Sequence, residues 1–149
     1  MRAVVQRVTE ARVVVNGETI GAIGPGLLVL LGCEQGDTDD DLNYIVAKTV
    51  AMRVFSDDDG KMNLSVLDRG AQVLLVSQFT LFGDMRKGRR PSFTQAMEPG
   101  AARAMYERAI QRFISEGVRV ATGQFAADMK VALINDGPVT ILLDSRRGF

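Results

Sequence analysis

Apolar positions follow two rhythms along this chain. Near the start they come in β-branched and aliphatic runs, Ala3-Val4-Val5-Gln6-Arg7-Val8, Ala11-Arg12-Val13-Val14-Val15 and Thr19-Ile20-Gly21-Ala22-Ile23. Asn16-Gly17 separates the last two, and that pair suits the positive φ angles of a tight hairpin turn. Gly24-Pro25-Gly26 breaks the pattern, and Leu27 to Leu31 follows with no polar position, as expected of a strand covered on both faces. Val73 to Val76 repeats that signature and predicts a central strand. The second rhythm is helical. Leu42, Ile45, Val46, Thr49 and Val50 predict an amphipathic helix over about 39–53, and Ala102, Met105, Tyr106, Ala109 and Phe113 a second over about 99–116. Asp37 to Asp41 read as acidic helix-start chemistry, Pro99 as a first-turn residue and Gly117 as a helix stop. Val118 to Ala121 is a short strand. Val131–Asn135 and Val139–Leu143 are the last two, with Asp136-Gly137-Pro138 expected to turn between them. The tail from Asp144 to Phe149 has no apolar periodicity and is expected to be mobile.

Composition narrows the function classes. A chain of 149 residues is expected to form one domain, 1–149, large enough to bury a core without disulfides or structural metal. Lys plus Arg and Asp plus Glu both number 18, so no global field draws it to nucleic acid or anionic lipid. Any such contact needs a local patch. Cys33, the single cysteine, sits in an apolar run and reads as a buried thiol. No run approaches the roughly 20 apolar residues of a membrane span, no signal peptide is visible, and a cytoplasmic location is expected. Histidine is absent altogether. That excludes Ser-His-Asp and Cys-His catalysis and the usual His-containing metal sites, and no metal or cofactor is expected.

Three stretches carry candidate chemistry. Ser77-Gln78-Phe79-Thr80 places two hydroxyls, an amide and an aromatic face at the end of the central strand, where a rigid element can orient a substrate; Ser77 and Thr80 equally read as groups that satisfy backbone at a strand end. Arg86, Lys87, Arg89 and Arg90 put four cations in five positions of a stretch that also holds Gly83 and Gly88, a candidate phosphate contact or a solvated loop. Asn135-Asp136-Gly137-Pro138-Val139-Thr140 reads as a turn, yet a glycine before proline leaves room for a ligand to approach rigid backbone carbonyls. Asp57-Asp58-Asp59-Gly60 lacks the spacing of a calcium loop and reads as a solvated turn.

Taken together, Ser77-Gln78-Phe79-Thr80-Leu81 and Asn135-Asp136-Gly137-Pro138-Val139-Thr140 resemble the two signature motifs of the D-aminoacyl-tRNA deacylases (the D-tyrosyl-tRNA deacylase family). Further likeness runs through Val5-Gln6-Arg7-Val8, Gly26 to Gly32, Phe55-Ser56-Asp57, Gly60-Lys61-Met62-Asn63, Arg90-Pro91-Ser92-Phe93 and Gly123 to Met129, covering the chain to about Leu143. The resemblance implies a single-domain, three-layer α/β/β fold with mixed sheets, a homodimer with active sites at the subunit interface, and hydrolysis of the ester of D-aminoacyl-tRNA, or of glycyl-tRNA mischarged on the alanine tRNA. It implies that Gly137-Pro138 is cis, enters the partner's pocket beside Ser77 to Thr80 and rejects L-amino acids. Catalysis would be assisted by the 2′-OH of the RNA, with the Phe79 N–H as oxyanion donor and Thr80 in a positioning role. Ser77 and Gln78 would shape the adenosine site, and Phe125 and Met129 would line the pocket. Two readings from other classes stand beside this one: a non-catalytic RNA-binding module that uses residues 86–90, and a small-molecule hydrolase with a Thr80 nucleophile.

Overall fold

A computed structural model describes all residues, 1–149. The elements in chain order are β1 (Arg2–Val15), β2 (Glu18–Ile23), β3 (Gly26–Gly32), α1 (Asp39–Ala51), β4 (Phe55–Ser56), β5 (Met62–Leu64), β6 (Gln72–Ser77), a single 3-10 turn (Phe79–Phe82), α2 (Pro99–Ser115), β7 (Arg119–Thr122) and β8 (Lys130–Asp144). The main sheet runs β2-β1-β3-β6-β7, with β8 on the other edge of β1. β3 and β7 flank β6 in parallel, while β1 pairs antiparallel with β2, β3 and β8. The two helices are the crossovers that parallel pairing requires.

The apolar runs explain the layering. Along β3 and β6, Leu27, Val29, Leu31, Val73 and Leu75 face one core with α1 and α2, while Leu28, Leu74 and Val76 face a second core with Val8, Ala11, Val13 and Ile23. One sheet layer is thus covered by helices on one side and by the curled-over halves of β1, β2 and β8 on the other. This is the α/β/β arrangement expected, with the helices within two residues of the expected bounds. β2 passes so close to β7 that a Cβ on Gly21 would fall on the Thr122 carbonyl.

Helix ends follow the local chemistry. Thr38 is the N-cap of α1, and the Asp41 carboxylate accepts from its N–H at 2.8 Å. Asp37, read with the same acidic run, does something different. It is buried and accepts from the Met1 ammonium at 2.8 Å and from Arg146 at 3.3 Å. α2 ends on Gly117 at φ 91°, whose N–H donates to Ile114 while that of Val118 reaches back to Phe113 at 3.2 Å.

Two expectations are corrected. No hairpin turn separates 131–135 from 139–143: both pair with the unbroken β1, Val131 opposite Val13 and Leu143 opposite Ala3, so β8 is one strand with a bulge at 136–139. Turn-forming residues make bulges equally well when the partner strand continues past them. The end of the chain is also fastened. Asp144 is buried, Ser145 Oγ donates to Asp41 at 2.7 Å, and Arg146 pairs with Glu34 at 3.3 Å, contacts that lie too far apart in sequence for periodicity to reveal.

Candidate active site

β6 delivers the site. Past Ser77 the Gln78 N–H still donates to Leu31 at 2.8 Å, and the chain then folds into the Phe79–Phe82 turn, closed by bonds from Leu81 to Gln78 and from Gly83 to Thr80. Phe82 is driven into the interior, and Gly32 makes room: a Cβ there would stand 3.1 Å from both Leu81 and Phe82. The opposite side of the turn is left open. Phe79 is 55% exposed and stands edge-on to Phe93, with ring centroids 5.1 Å apart.

Beside it lies an apolar cavity of about 490 Å³. Ser77 and Phe79 form one wall, Phe93 and Met97 another, Ala102 of α2 a third, and Phe125 and Met129 the fourth. Phe125 is held from behind by Tyr106, 6.1 Å away, and carries the Arg103 guanidinium 4.8 Å from its ring centroid. The Tyr106 hydroxyl donates to the Leu75 carbonyl at 2.7 Å, which fixes α2 to the central strand. Burial pushes this phenol up to about 12.

The titratable side chains on the cavity wall are Cys33 and Glu98, one held as a neutral thiol and the other an ionised carboxylate engaged as a helix cap. Burial, and secondarily the Asp37 carboxylate, push the Cys33 thiol up to about 11. Glu98 is held below the usual carboxylate range because it accepts from Gly100 N–H at 2.8 Å and Ala101 N–H at 3.0 Å, capping α2. The walls can therefore enclose an apolar or aromatic group and orient it, and the one ionised group among them, Glu98, is a weak base already engaged in capping α2.

Of the site residues expected from sequence, Ser77, Phe79, Phe125 and Met129 meet at this cavity. Gln78 and Thr80 do not line it. Their side chains bond to each other instead, Gln78 Nε2 donating to Thr80 Oγ1 at 2.7 Å on the exposed side. Phe93, Met97, Glu98 and Ala102 escaped the sequence reading. Phe93 stood in the Arg90-Pro91-Ser92-Phe93 stretch without a role, and the others are ordinary helix-start residues with no chemical signal.

In the 86–90 loop, backbone bonds between Asp84 and Ser92 at 2.8 and 3.0 Å close the base. Arg86 folds back onto Asp84 in a two-pronged pair, 2.7 and 2.9 Å, which holds the Asp84 carboxyl at about 2. Lys87, Arg89 and Arg90 are exposed and have no ion-pair partner.

Gly137 and Pro138 lie elsewhere on the chain. Their peptide bond is cis and Gly137 sits at φ 151°. The bulge is fastened to β1: Arg7 Nε donates to the Asp136 carbonyl at 2.8 Å, and another arm of Arg7 reaches the Val54 carbonyl. Asn135 Oδ1 accepts from Val139 N–H at 2.7 Å and closes the bulge from within. This segment stands level with Gln6 to Val8 on β1, whereas Ser77 aligns through Leu31 with Ala3. With β1 and β3 between β8 and β6, strand spacing puts the two motifs roughly 20 Å apart.

The family model described as D-Tyr-tRNA(Tyr) deacylase matches residues 4–144. A D-aminoacyl-tRNA deacylase of Myxococcus xanthus (strain DK1622) is 59% identical over 145 residues, 97% of this chain and 95% of that protein. One of Kosmotoga olearia is 56% identical over 149 residues, the whole of both chains. Among solved structures, the c-Myc DNA Unwinding Element Binding Protein superposes with a TM-score of 0.91 at 44% identity, over 97% of this chain and 98% of that one. A probable eukaryotic D-amino acid tRNA deacylase shares the fold, with a TM-score of 0.80 at 20% identity over 96% and 98% of the two chains.

Proposed function

The chain belongs to the D-Tyr-tRNA(Tyr) deacylase family and hydrolyses the ester of D-aminoacyl-tRNA; from that premise we propose that it works by holding the acylated 3′ end while the RNA itself assists the chemistry. The observation that carries this reading is the cavity beside Phe79, whose titratable side chains are a thiol held protonated, Cys33, and a weakly basic carboxylate engaged as the cap of α2, Glu98. A water that attacks the ester needs a proton acceptor. The vicinal 2′-OH of the terminal adenosine, which the substrate brings, can relay that proton, taking it from the water as it passes its own to the departing 3′-oxygen.

In this mechanism the adenosine lies against Phe125 and Met129, with Ser77 shaping its site and Gln78 at the rim. The ester carbonyl faces the Phe79 N–H. Phe79 opens the 3-10 turn and Leu81 makes the first bond within it, so the Phe79 N–H has no acceptor inside the turn and suits a developing oxyanion. Loss of such a donor costs roughly 2.7–4 kcal/mol of transition-state stabilisation. Thr80 positions the turn through its bond with Gln78 and is not the nucleophile.

Rejection of L-amino acids falls to Gly137-Pro138 of a second copy. Within one chain that pair stands across the sheet from the cavity, a separation that supports delivery of the pair to Ser77–Thr80 by a partner subunit in a homodimer with shared sites. Glycine has no side chain to clash and is accepted, glycyl-tRNA mischarged on the alanine tRNA included. The setting is cytoplasmic, where tRNA is charged, and Lys87, Arg89 and Arg90 contact the tRNA backbone.

Thr80→Ala should retain most of the deacylation rate on D-aminoacyl-tRNA, whereas a 2′-deoxy terminal adenosine should lower it by about 10²-fold or more. Single-turnover release of the amino acid measures both. A dead Thr80→Ala enzyme that treats the 2′-deoxy substrate normally would make Thr80 the nucleophile.

A further inference from the structure

A second cavity, of about 600 Å³, adjoins the same turn. Phe79, Phe93 and Met97 line the first cavity; Phe82, Gly83 and Gln95 line the second, with Arg2, Met85, Arg86 and the Asp84 carboxylate that Arg86 neutralises around them. Arg2 lies across Phe82, its guanidinium carbon 4.7 Å from the ring centroid, and Nη1 donates to the Leu81 carbonyl at 3.3 Å. Its Nε is buried without a partner, and the nearest carboxylate, Asp144, is 4.0 Å away. Nη2 makes no hydrogen bond, and about a third of the side chain, 35%, is open to solvent. Arg86 is oriented by Asp84 through Nε and Nη2, which leaves Nη1 free. Two planar cations thus present spare donors at one cleft, with the unpaired Lys87, Arg89 and Arg90 following in the loop and an apolar side chain, Met85, 52% exposed.

We propose that this cleft is the subsite for the nucleotide that precedes the terminal adenosine: Arg2 and Arg86 take the phosphodiester joining the two, and the base rests on Met85. The inference rests on the reading that the chain acts at the 3′ end of tRNA. Grooves that hold single-stranded nucleic acid combine a cationic track for the backbone with flat or apolar surfaces for the bases. Guanidinium forks match phosphate oxygens better than point charges do. Arg2 also bonds to the turn that carries Phe79, so a phosphate held here is coupled to the position of the reacting carbonyl.

The test compares D-aminoacyl esters of adenosine, of the dinucleotide cytidylyl-adenosine and of intact tRNA. In the unaltered enzyme kcat/KM for the dinucleotide ester should exceed that for the adenosine ester by about tenfold or more, the size expected of hydrogen bonds to a charged group. Arg86→Gln and Met85→Ala, neither of which touches the Phe79–Phe82 turn, should each erase most of that preference, and Arg2→Lys should do so while keeping the charge. In Arg86→Gln the salt dependence of intact-tRNA binding should also flatten by about 0.7, the share of one phosphate on a single strand. An unaltered enzyme that treats the two small esters alike, or Arg86→Gln and Met85→Ala variants that keep the full preference, would overturn the subsite. Failure to hydrolyse any of the three esters would instead overturn the deacylase reading on which it rests.

Discussion

Tyr106 joins stability to the site, since its hydroxyl ties α2 to the strand that ends in Ser77 and its ring backs Phe125. Burial raises this phenol from 10 to about 12 and the Cys33 thiol from 9 to about 11, so in both cases the folded state keeps a proton that the unfolded chain gives up. Their stabilising contributions are complete below the unfolded values and are lost as pH rises through the folded ones. For Tyr106 the slope is about 1.4 kcal/mol per pH unit above 10. Denaturant unfolding at pH 9 and pH 11 should show the fall, and Tyr106→Phe should lessen it while lowering stability at neutral pH by about 1–3 kcal/mol through the unpaired Leu75 carbonyl. At this scale the residues that the family resemblance singled out converge in space, since Ser77, Phe79, Phe125 and Met129 all border one cavity. Thr80 was harder to place, because a single 3-10 turn has no periodicity to betray it, and that turn decides that the hydroxyl points at Gln78.

Among the elements, α2 ends on a left-handed Gly117 that satisfies two orphan carbonyls. Gly117→Ala should cost about 1–2 kcal/mol and lower Tm by several degrees in a thermal melt, with activity per folded molecule preserved. The 83–92 loop yields a prediction about charge. With Arg86 assigned to the neighbouring cleft, neutralising Lys87, Arg89 and Arg90 together should flatten the remaining salt dependence of tRNA binding by about 0.7–0.9 for each phosphate deprived of its cation. An unchanged slope would make these three a solvated face. The buried strands and both helices were legible, since four- and five-residue apolar runs and three-four spacing have few alternative meanings. The bulge in β8 was not. Asn135 to Pro138 carry the residues of a turn, and only the continuity of β1 opposite them, a fact of pairing rather than of local sequence, makes the strand resume in the same direction.

On the scale of the whole molecule, the edge strand β8 leaves Ile134, Ile141 and Leu142 exposed, 54%, 37% and 55%. A homodimer that seats Gly137-Pro138 in its partner's cavity has this strand at hand as an apolar contact. Leu142→Asp should shift the species seen by sedimentation towards the monomer and lower deacylation in parallel. A monomeric enzyme with full activity would remove the second copy from the site. The layers were expected from the family resemblance, but the roughly 20 Å between the two motifs was not, since it depends on how many strands intervene. That separation has a consequence for a cell that makes both a sound and an altered chain. Under the proposed mechanism chiral judgement belongs to the pair, so each mixed pair would set an intact pocket against a faulty sentinel, and injury at Gly137 or Pro138 would spread to sites whose own residues are undamaged.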